Sequence, residues 1–401
     1  MGIASATDAD AAAVNHPYPR IMGMNIAAPT KYAIPAVEKE LSRADVLILG
    51  FYRGWESDRK QSMSSVVSAI KRLNSKILIG QYTILQESQA EGPNGDKAAE
   101  LTKNGWWLKN ASGKRVQWTS QYGAWDVNLT HWTQPNGAGQ RYPEWLAKRD
   151  FETFFRKVPQ LDIWYFDNVL SKPAVKKADW KGLGREQNAN DADVAKAYRE
   201  GQVREWKAAS DLKPGVLLIG NSDDISSPEY SGRLNGVFLE GLMGVSWSTE
   251  RKAGWAGVMD RYHAGMQQTA APHIVGFNVW GKKDDYRAMR YGLTSCLMDN
   301  GYFSYTDEAV GYRSLPWFDE YDVALGNPKD PVQTKPASNG IFKREFQNGL
   351  VLVNPNSDER TIELPAGFRH INGRQAPQVN NGQPATTVRL KSHDGVILLR
   401  Q

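Results

Sequence analysis

The sequence predicts a (β/α)8 barrel followed by a small all-β domain. Eight short, apolar, β-rich runs alternate with segments whose apolar residues recur about every 3.6 positions. Continuous apolar strands that alternate with amphipathic helices over about 290 residues favour a closed parallel barrel over an open sheet. After Leu325 the pattern changes to short alternating runs separated by turn residues, which indicates antiparallel β structure.

The elements of the predicted barrel follow one another in chain order. The candidate strands are Ile21–Ala27, Asp45–Tyr52, Lys76–Ile84, Asp162–Val169, Val216–Asn221, Gly236–Gly241, His273–Trp280 and Gly301–Tyr305. The helical segments between them include Ala36–Ala44, Ser57–Leu73, Tyr142–Val158, Asp193–Ser210 and Tyr286–Met298. No glycine-rich phosphate-binding motif follows any of these strands, which argues against a dinucleotide-binding fold.

Changes in composition divide the chain into three predicted parts. Residues 1–18 form a flexible leader, residues 19–325 the barrel, and residues 326–401 a C-terminal β-sandwich domain. The leader is rich in Ala, Asp and Ser and lacks the apolar core of an intact signal peptide. Such a leader is typical of a processed exported protein, so we expect a secreted or periplasmic location.

The predicted C-terminal domain begins at a linker rich in proline and glycine, Gly326–Pro331. Its candidate strands are Gly340–Phe346, Gly349–Val353, Arg360–Leu364, Thr387–Leu390 and Gly395–Leu399. These runs carry no obvious chemistry. The search for a functional site is therefore confined to the barrel.

Composition excludes several classes of protein. The 401 residues are 41% apolar, with no run long enough to span a bilayer, so we expect no membrane insertion. The formal charge is +5, but acidic and basic residues are interspersed without the basic stripe of a nucleic-acid-binding protein. An acidic polysaccharide is compatible with this charge.

Metal and cofactor chemistry finds little support in the sequence. The single cysteine, Cys296, lies in an apolar helix-like run, and the six histidines show no ligand spacing. There is no calcium-binding loop and no Gly-x-Ser-x-Gly nucleophile elbow. We therefore expect neither a metal nor a cofactor.

Two strand-like runs end on a carboxylate: Asp162–Asn168 contains Asp167, and Gly236–Gly241 contains Glu240. An acidic side chain after three or four apolar strand residues lies at the carboxyl edge of a parallel barrel, where such barrels keep their chemistry. Cleavage of a glycosidic bond needs one ionised and one protonated carboxyl group. The alternative is that each residue caps a helix or forms an internal ion pair.

Further polar and aromatic residues are candidates for binding sugar hydroxyls and the apolar faces of sugar rings. Those predicted at or near strand ends are Asn25, Tyr52, Arg53, Gln81, Tyr82, Asn221, Asp223, Asn278, Trp280 and Asp307. Those in or near long loops are Trp55, Trp125, Asp126 and Trp247. Each polar residue could instead cap a loop or form a turn, and each tryptophan could instead fill a core.

The long segment Gln86–Arg141 adds to the case for a binding site. It is too long for a plain connection between a strand and a helix. It also contains six of the chain's aromatic residues: Trp106, Trp107, Trp118, Tyr122, Trp125 and Trp132. Long loops on a barrel usually carry function. This segment is therefore expected to be functional.

A set of motifs resembles a known family, the hypothetical glycosyl hydrolase family fifteen. The motifs are Tyr165-Phe-Asp-Asn168, Val237-Phe-Leu-Glu-Gly241, Gly301-Tyr-Phe-Ser-Tyr305, Trp317-Phe-Asp-Glu-Tyr-Asp322 with Leu325-Gly-Asn-Pro328, and the run from Arg344 to Pro355. The resemblance spans roughly Ile21 to the C-terminus. It implies a catalytic (β/α)8 barrel with a C-terminal β-sandwich, acting on a polysaccharide.

An Asp after the fourth strand and a Glu after the sixth are also similar to the arrangement in retaining dextranase-type enzymes. That analogy implies that Asp167 is the nucleophile and Glu240 the general acid/base. Retention requires carboxyl groups about 5 Å apart, whereas inversion needs about 6.5–9.5 Å, so a separation of roughly 8 Å would contradict it.

The expected function is therefore a retaining glycoside hydrolase that cleaves a polysaccharide internally. Two alternatives stay open. One is a non-catalytic carbohydrate-binding protein on a barrel scaffold, in which the carboxylates only accept hydrogen bonds. The other is a transglycosylase, which shares the same carboxylates and excludes water from the intermediate.

Overall fold

The computed structural model describes residues 16–26, 32, 34–56, 61–222, 224–337 and 339–401. Up to residue 325 the strands are β1 (Met22–Asn25), β2 (Val46–Leu49), β3 (Leu78–Ile84), β4 (Glu87–Gln89), β5 (Ala124–Asp126), β6 (Ile163–Asp167), β7 (Lys177–Ala178), β8 (Gln187–Asn188), β9 (Leu217–Asn221), β10 (Gly236–Met243), β11 (Ile274–Gly281) and β12 (Tyr302–Asp307). The α-helices are α1 (Pro35–Leu41), α2 (Met63–Leu73), α3 (Gly95–Lys103), α4 (Tyr142–Asp150), α5 (Ala192–Leu212), α6 (Thr249–Gln268) and α7 (Tyr286–Cys296).

Eight of these strands form one parallel sheet in the order β1-β2-β3-β6-β9-β10-β11-β12. The sheet closes where Ile21 bridges Phe303 in parallel and the Phe303 amide donates to the carbonyl of Arg20 over 2.8 Å. Helices on the outside connect successive strands of this sheet, except between β9 and β10, where the described residues form turns. The predicted (β/α)8 barrel is confirmed, with each of the eight predicted strands overlapping one strand of this sheet.

The barrel strands face two separate cores because successive side chains of a strand point to opposite sides. One set fills the barrel interior and includes Ile48, Tyr165, Ile219 and Phe238. The alternate set packs against the helices and includes Trp164. This alternation fixes which residues near a strand end can reach the barrel axis.

The long segment between β3 and α4 contains structure of its own. Strands β4 and β5 pair as an antiparallel hairpin, and α3 lies between them in sequence. Elsewhere, α4 continues into a π-helical turn over Phe151–Phe155, and α2 begins at Met63 behind an N-cap at Ser62. The start predicted for that helix, residues 57–60, lies outside the described residues.

The C-terminal strands are β13 (Phe342–Phe346), β14 (Gly349–Asn354), β15 (Arg360–Glu363), β16 (Phe368–His370), β17 (Thr387–Leu390) and β18 (Asp394–Arg400). They form an antiparallel sheet β13-β14-β18-β16 and a two-stranded sheet β15-β17. One apolar cluster joins the two sheets, which gives the predicted β-sandwich. The domain boundary predicted after Leu325 falls in the connection between β12 and β13.

The sandwich packs directly on the barrel through β14. Leu350 and Leu352 belong to the sandwich core, whereas Val351 and Val353 belong to the large core outside the barrel strands. At the same interface, Arg290 of α7 forms a buried ion pair with Asp394 of β18, with its nearest contact at 3.0 Å. The two parts of the chain therefore share a core.

Two remaining features concern the whole chain. Cys296 is buried at the end of α7, and burial raises the pKa of its thiol to about 12, which makes it inert as a nucleophile. Among the described residues, no helix combines the length and apolar character needed to cross a bilayer.

Candidate active site

Polar side chains end four neighbouring strands of the barrel. Tyr82, Asp167, Asn221 and Glu240 belong to β3, β6, β9 and β10, which are consecutive in the sheet. Each of the last three lies two positions after a residue that packs inside the barrel, so it points to the same side of its strand. The strand register therefore directs all of them toward the barrel axis at its carboxyl end.

The side-chain amide of Asn221 joins the two carboxyl groups. Its Nδ2 donates to Oδ1 of Asp167 over 2.9 Å and to Oε2 of Glu240 over 2.8 Å. The two N–H bonds of an amide diverge by about 120°, so these acceptor oxygens lie roughly 5 Å apart. The predicted pair thus converges on one point.

Each carboxyl group also accepts a hydrogen bond from a tyrosine. The Tyr82 hydroxyl donates to Oδ2 of Asp167, and the Tyr312 hydroxyl donates to Oε1 of Glu240, both over 2.5 Å. Tyr312 lies in the loop after β12. The backbone amide of Ile26 donates to the backbone carbonyl of Tyr312 and so holds this loop beside β1. Every donor to these carboxyl oxygens is a neutral group.

Burial raises the pKa of both carboxyl groups. For Asp167, hydrogen bonds from Tyr82, Asn221 and the backbone of Asn168 oppose this rise without cancelling it. For Glu240, hydrogen bonds from Tyr312 and Asn221 oppose it, and the negative charge of Asp167 raises the pKa further. Both carboxyl groups therefore keep a proton to a higher pH than an exposed carboxyl group does.

The residue directly after each of the two carboxylates has a left-handed backbone conformation. Asn168 has a φ of 54°, a left-handed conformation that turns the chain directly after Asp167. Gly241, after Glu240, has a φ of 61°, and a Cβ there would lie 2.1 Å from the ring of Trp247. The absence of a side chain at Gly241 therefore lets Trp247, which is 46% exposed, lie against the strand end beside Glu240.

The carboxyl pair lines a cavity of about 420 Å³, called the carboxylate cavity here. Its lining residues are Met24, Ile26, Tyr82, Ile84, Glu87, Trp118, Tyr122, Tyr165, Asp167, Asn168, Asn221, Glu240, Trp247 and Tyr312. A second cavity of about 440 Å³, the adjoining cavity, shares five of these residues and reaches Tyr52 and Arg53. Together the two cavities form one continuous cleft.

The segment between β3 and α4 forms one wall of this cleft. The Trp118 indole Nε1 donates to Oε2 of Glu87 over 2.6 Å, and the Trp118 amide donates to Oδ2 of Asp126 over 2.8 Å. Trp118 and Tyr122 expose 40% and 50% of their surface. This aromatic segment, which the sequence predicts to be functional, therefore lies beside the two carboxylates.

Several residues predicted from the sequence come together in the cleft. Tyr82, Asn221 and Trp247 line the carboxylate cavity with the two carboxylates. Tyr52 and Arg53 line the adjoining cavity. Asp223 lies outside the described residues.

Four predicted binding residues are buried and line neither cavity: Asn25, Trp55, Gln81 and Asn278. The Gln81 side chain bonds both the amide and the carbonyl of Phe51, and the carbonyl of Asn278's side chain accepts from the amide of Gly241. Asn25 accepts from the Tyr32 hydroxyl, while the ring of Trp55 packs in the core. These four side chains pack in the core or form hydrogen bonds within the protein, and none of them lines the cleft.

The other predicted residues lie near the cleft without lining it. Asp126 is buried beneath Trp118, and burial raises its pKa to about 7. Trp125 packs on an apolar cluster below the hairpin, and Trp280 packs edge-on against Tyr312 at 5.3 Å. Asp307 lines a different cavity, beside α1 and Trp317.

The site also contains residues that the sequence predictions omitted. Tyr312 and Glu87 are the clearest, because both line the carboxylate cavity and Tyr312 bonds Glu240. A partial signal existed: Glu87 opens the long aromatic segment, and Tyr312 follows the last strand within five residues. Their partners, however, are distant in sequence.

Among the described residues, no group of three or more His, Cys, Asp or Glu side chains is placed to hold a metal ion.

Solved structures with a similar fold include two alpha-amylases and the protein Amy13B. An Anoxybacillus alpha-amylase shares 11% identity, with a TM-score of 0.53 over 95% of this chain and 98% of that chain. Eubacterium rectale Amy13B shares 10% identity, with a TM-score of 0.52 over 97% and 98%. The alpha-amylase of Geobacillus thermoleovorans, solved with acarbose, shares 11% identity, with a TM-score of 0.51 over 95% and 98%. At these identities the likeness shows the fold alone.

Comparison at the level of sequence gives the family. No curated protein matches this sequence. A family model described as hypothetical glycosyl hydrolase family 15 matches residues 71–350, a range that includes Asp167, Asn221, Glu240 and Tyr312. The chain belongs to hypothetical glycosyl hydrolase family 15 and is a glycoside hydrolase.

Proposed function

We propose that this glycoside hydrolase cleaves a polysaccharide internally and with retention, using Asp167 as nucleophile and Glu240 as general acid/base. The observation that carries the proposal is the Asn221 amide, which donates to both carboxyl groups at once. A single donor between two carboxyl groups holds them on either side of one small space. That space is where a glycosidic bond has to lie.

The separation of the two carboxyl groups supports retention. Oxygens bridged by one amide nitrogen lie roughly 5 Å apart, close to the 5–5.5 Å typical of retaining enzymes. An inverting enzyme needs about 6.5–9.5 Å to place a water between acid and base. The Asn221 bridge leaves too little room for that water.

The electrostatics of the pair support the assignment of roles. Burial and the negative charge of Asp167 both raise the pKa of Glu240, which favours its protonated form. Asp167 also accepts a hydrogen bond from its neighbour's backbone amide, which favours the ionised form. An ionised Asp167 and a protonated Glu240 are the states that attack and protonation require.

The reaction then proceeds in two balanced steps. Glu240 gives its proton to the glycosidic oxygen while an oxygen of Asp167 bonds to the anomeric carbon and the glycosidic bond breaks. Glu240, now ionised, takes a proton from water, the water oxygen bonds to the anomeric carbon, and Asp167 leaves as a carboxylate. Tyr82, Asn221 and Tyr312 hold both carboxyl groups in place throughout.

The shape of the cleft supports internal cleavage. Exposed Trp247 lies beside Glu240, whereas exposed Trp118 and Tyr122 come from the segment after β3, and the cleft continues from there into the adjoining cavity. Aromatic rings bind the apolar faces of sugar rings. A chain that extends beyond the cleaved bond in both directions would contact all three rings.

A large polysaccharide is met outside the cytoplasm, and for this reason we also propose that the enzyme is secreted or periplasmic. Fractionation of the natural host, followed by detection of the protein in the periplasm or medium, tests it. Recovery in the cytoplasm alone would contradict it.

The test of the catalytic proposal is a screen of bacterial and plant glycans for new reducing ends, with product sizing and NMR of the first anomer released. We expect Asp167→Asn and Glu240→Gln each to lower kcat/KM by about 1,000-fold or more. Glu308→Gln is a matched control, because Glu308 is exposed just beyond β12 and lies outside the cleft.

Each alternative has its own result. Near-normal turnover by either variant, or a first product of inverted configuration, would contradict the assigned roles. Binding of glycans without new reducing ends would favour the carbohydrate-binding protein. Products longer than the substrate would favour transglycosylation.

A further inference from the structure

A third carboxyl group, Glu87, lines the carboxylate cavity and has no role in the proposed reaction. Its side chain is only 8% exposed and lies at the start of β4. One oxygen, Oε2, accepts from the Trp118 indole; no hydrogen bond to the other oxygen, Oε1, is found among the described residues. Oε1 is not among the described side-chain atoms that are both fully buried and without a hydrogen bond, so it is open to the cavity, where a ligand can donate to it.

The charge of the cavity points to the kind of ligand. Its described lining residues include three carboxyl groups, Glu87, Asp167 and Glu240, and no lysine, arginine or histidine. The nearest cation, Lys97, lines only the adjoining cavity, where its Nζ donates to the backbone carbonyls of Ile84 and Glu87. Burial raises the pKa of Glu87 and the charge of Lys97 opposes that rise, but none of the described residues that line the carboxylate cavity is itself a cation.

The aromatic rings of this cavity suit the same ligand. Trp118 and Tyr122 lie 6.0 Å apart between ring centroids, next to Glu87, and both are exposed. The face of an aromatic ring attracts a cation as well as the apolar face of a sugar. A cation held between these rings and Glu87 would meet favourable partners on several sides.

We propose that Glu87 is a specificity-determining residue that binds a cationic sugar, a hexosamine unit with a free amino group, next to the bond that is cleaved. This inference rests on the proposed function and names its substrate class. The ammonium group donates to the free oxygen of Glu87 and balances its charge. A uronic acid would be repelled at this position, and an N-acetylated sugar would leave the carboxylate charge unpaired.

The test compares oligosaccharides of glucosamine and of galactosamine with all amines free against the same oligosaccharides fully N-acetylated. Affinities for the full-length protein are measured by titration calorimetry at pH 7, and reducing ends are counted in the same samples. We expect at least one free-amine form to bind about tenfold tighter than its N-acetylated partner. In Glu87→Gln, which keeps an oxygen for Trp118, this preference should fall to about twofold or less.

Two controls make the result specific. Glu308→Gln removes the same charge from the same end of the barrel outside the cleft, and the preference should persist in it. If Glu87→Gln does not fold, the salt dependence of the intact protein decides: added NaCl should weaken binding of the free-amine form and leave the N-acetylated form unchanged.

The outcomes separate this inference from the proposed function. Equal affinity for both forms in the intact protein, or an undiminished preference in Glu87→Gln, would overturn the inference. Cleavage of a neutral glycan that depends on Asp167 and Glu240 but not on Glu87 would overturn it and leave the proposed function standing. Amine binding that depends on Glu87, with no cleavage of any glycan, would overturn the proposed function instead.

Discussion

Two sets of partly buried carboxyl groups near the barrel illustrate opposite ways of satisfying a charge. Asp167 and Glu240 accept hydrogen bonds from tyrosine hydroxyls and an asparagine amide, all neutral donors. Asp96 instead accepts two hydrogen bonds from the Arg149 guanidinium, each over 3.0 Å, and Asp150 accepts a third over 2.7 Å. The first set faces a cavity, whereas the second joins α3 to α4.

The pKa of Asp96 shifts in the opposite direction to those of Asp167 and Glu240, whereas burial outweighs Arg149 at Asp150 and raises its pKa as well. Although burial raises the pKa of Asp96, the hydrogen bonds and charge of Arg149 leave it below its usual range. Without a cation, burial leaves the pKa values of Asp167 and Glu240 raised. Arg149 thus holds the pKa of the less buried Asp96 down, whereas neutral donors leave the pKa values of Asp167 and Glu240 raised. For the fully buried Asp150, burial outweighs the same cation, so both the donor and the depth of burial decide the direction of the shift.

The largest effect should come from breaking the structural set. Arg149→Met leaves Asp150 without its ion pair and Asp96 with only the 3.6 Å contact to Arg53, so we expect the free energy of unfolding to fall by about 3–5 kcal/mol at pH 7. Asp96 contributes stability above its unfolded pKa of about 4, and this contribution is lost as the pH falls through its lower folded pKa. The difference between the two proteins, measured by denaturant unfolding, should therefore narrow below about pH 4.

An exposed ion pair provides the matched control for that experiment. Arg156 pairs with Glu152 one turn away on the surface, so Arg156→Met should cost less than about 1 kcal/mol. If both variants lose equal stability, the Arg149 cluster does not hold α3 against α4.

A smaller effect should follow from removing the bridge of the catalytic set. Asn221→Ala takes a donor from both carboxyl groups, and we expect kcat/KM to fall about 100-fold with a small change in Tm. Asn235→Ala is the contrast, since the Asn235 amide lies at the other end of β10 and bonds the Leu218 amide and the Ala271 carbonyl. That variant should lose stability and keep its kcat, so equal kcat losses would contradict the assigned bridge.

The smallest effect distinguishes the two carboxyl groups from each other. Removing a hydroxyl that donates to a carboxylate raises the pKa of that carboxyl group, by about one unit for a hydrogen bond to a charged group. Tyr82→Phe should therefore move the acidic limb of the pH–kcat/KM profile upward, because Asp167 must be ionised. Tyr312→Phe should move the alkaline limb upward, because Glu240 must hold its proton.

The same pair of variants can sharpen or break the assignment of roles. If Tyr82→Phe moves the alkaline limb and Tyr312→Phe the acidic limb, Glu240 is the nucleophile and Asp167 the acid. If neither limb moves, the tyrosines do not act on the carboxyl groups that control the rate.

Adjacent residues show where sequence-based prediction succeeds and where it stops. Gln81 and Tyr82 were both predicted to bind substrate from the end of the third strand, yet a strand points neighbouring side chains to opposite sides. The structure directs Tyr82 into the barrel, whereas Gln81 is 0% exposed and bonds the neighbouring strand. A shift of one residue along the strand therefore changes a side chain from one that lines the site to one that holds the structure together. The surrounding packing decides which side chain points which way.

By itself, the sequence determined the barrel and the ends of the strands that carry Asp167 and Glu240, because strand periodicity and apolar runs are local properties of the chain. Only the tertiary structure decided the partners of those carboxylates. Tyr312 bonds a residue 72 positions away, and Tyr82 bonds one 85 positions away. Closure of the barrel creates these contacts, and no local pattern encodes which tyrosine will face which acid.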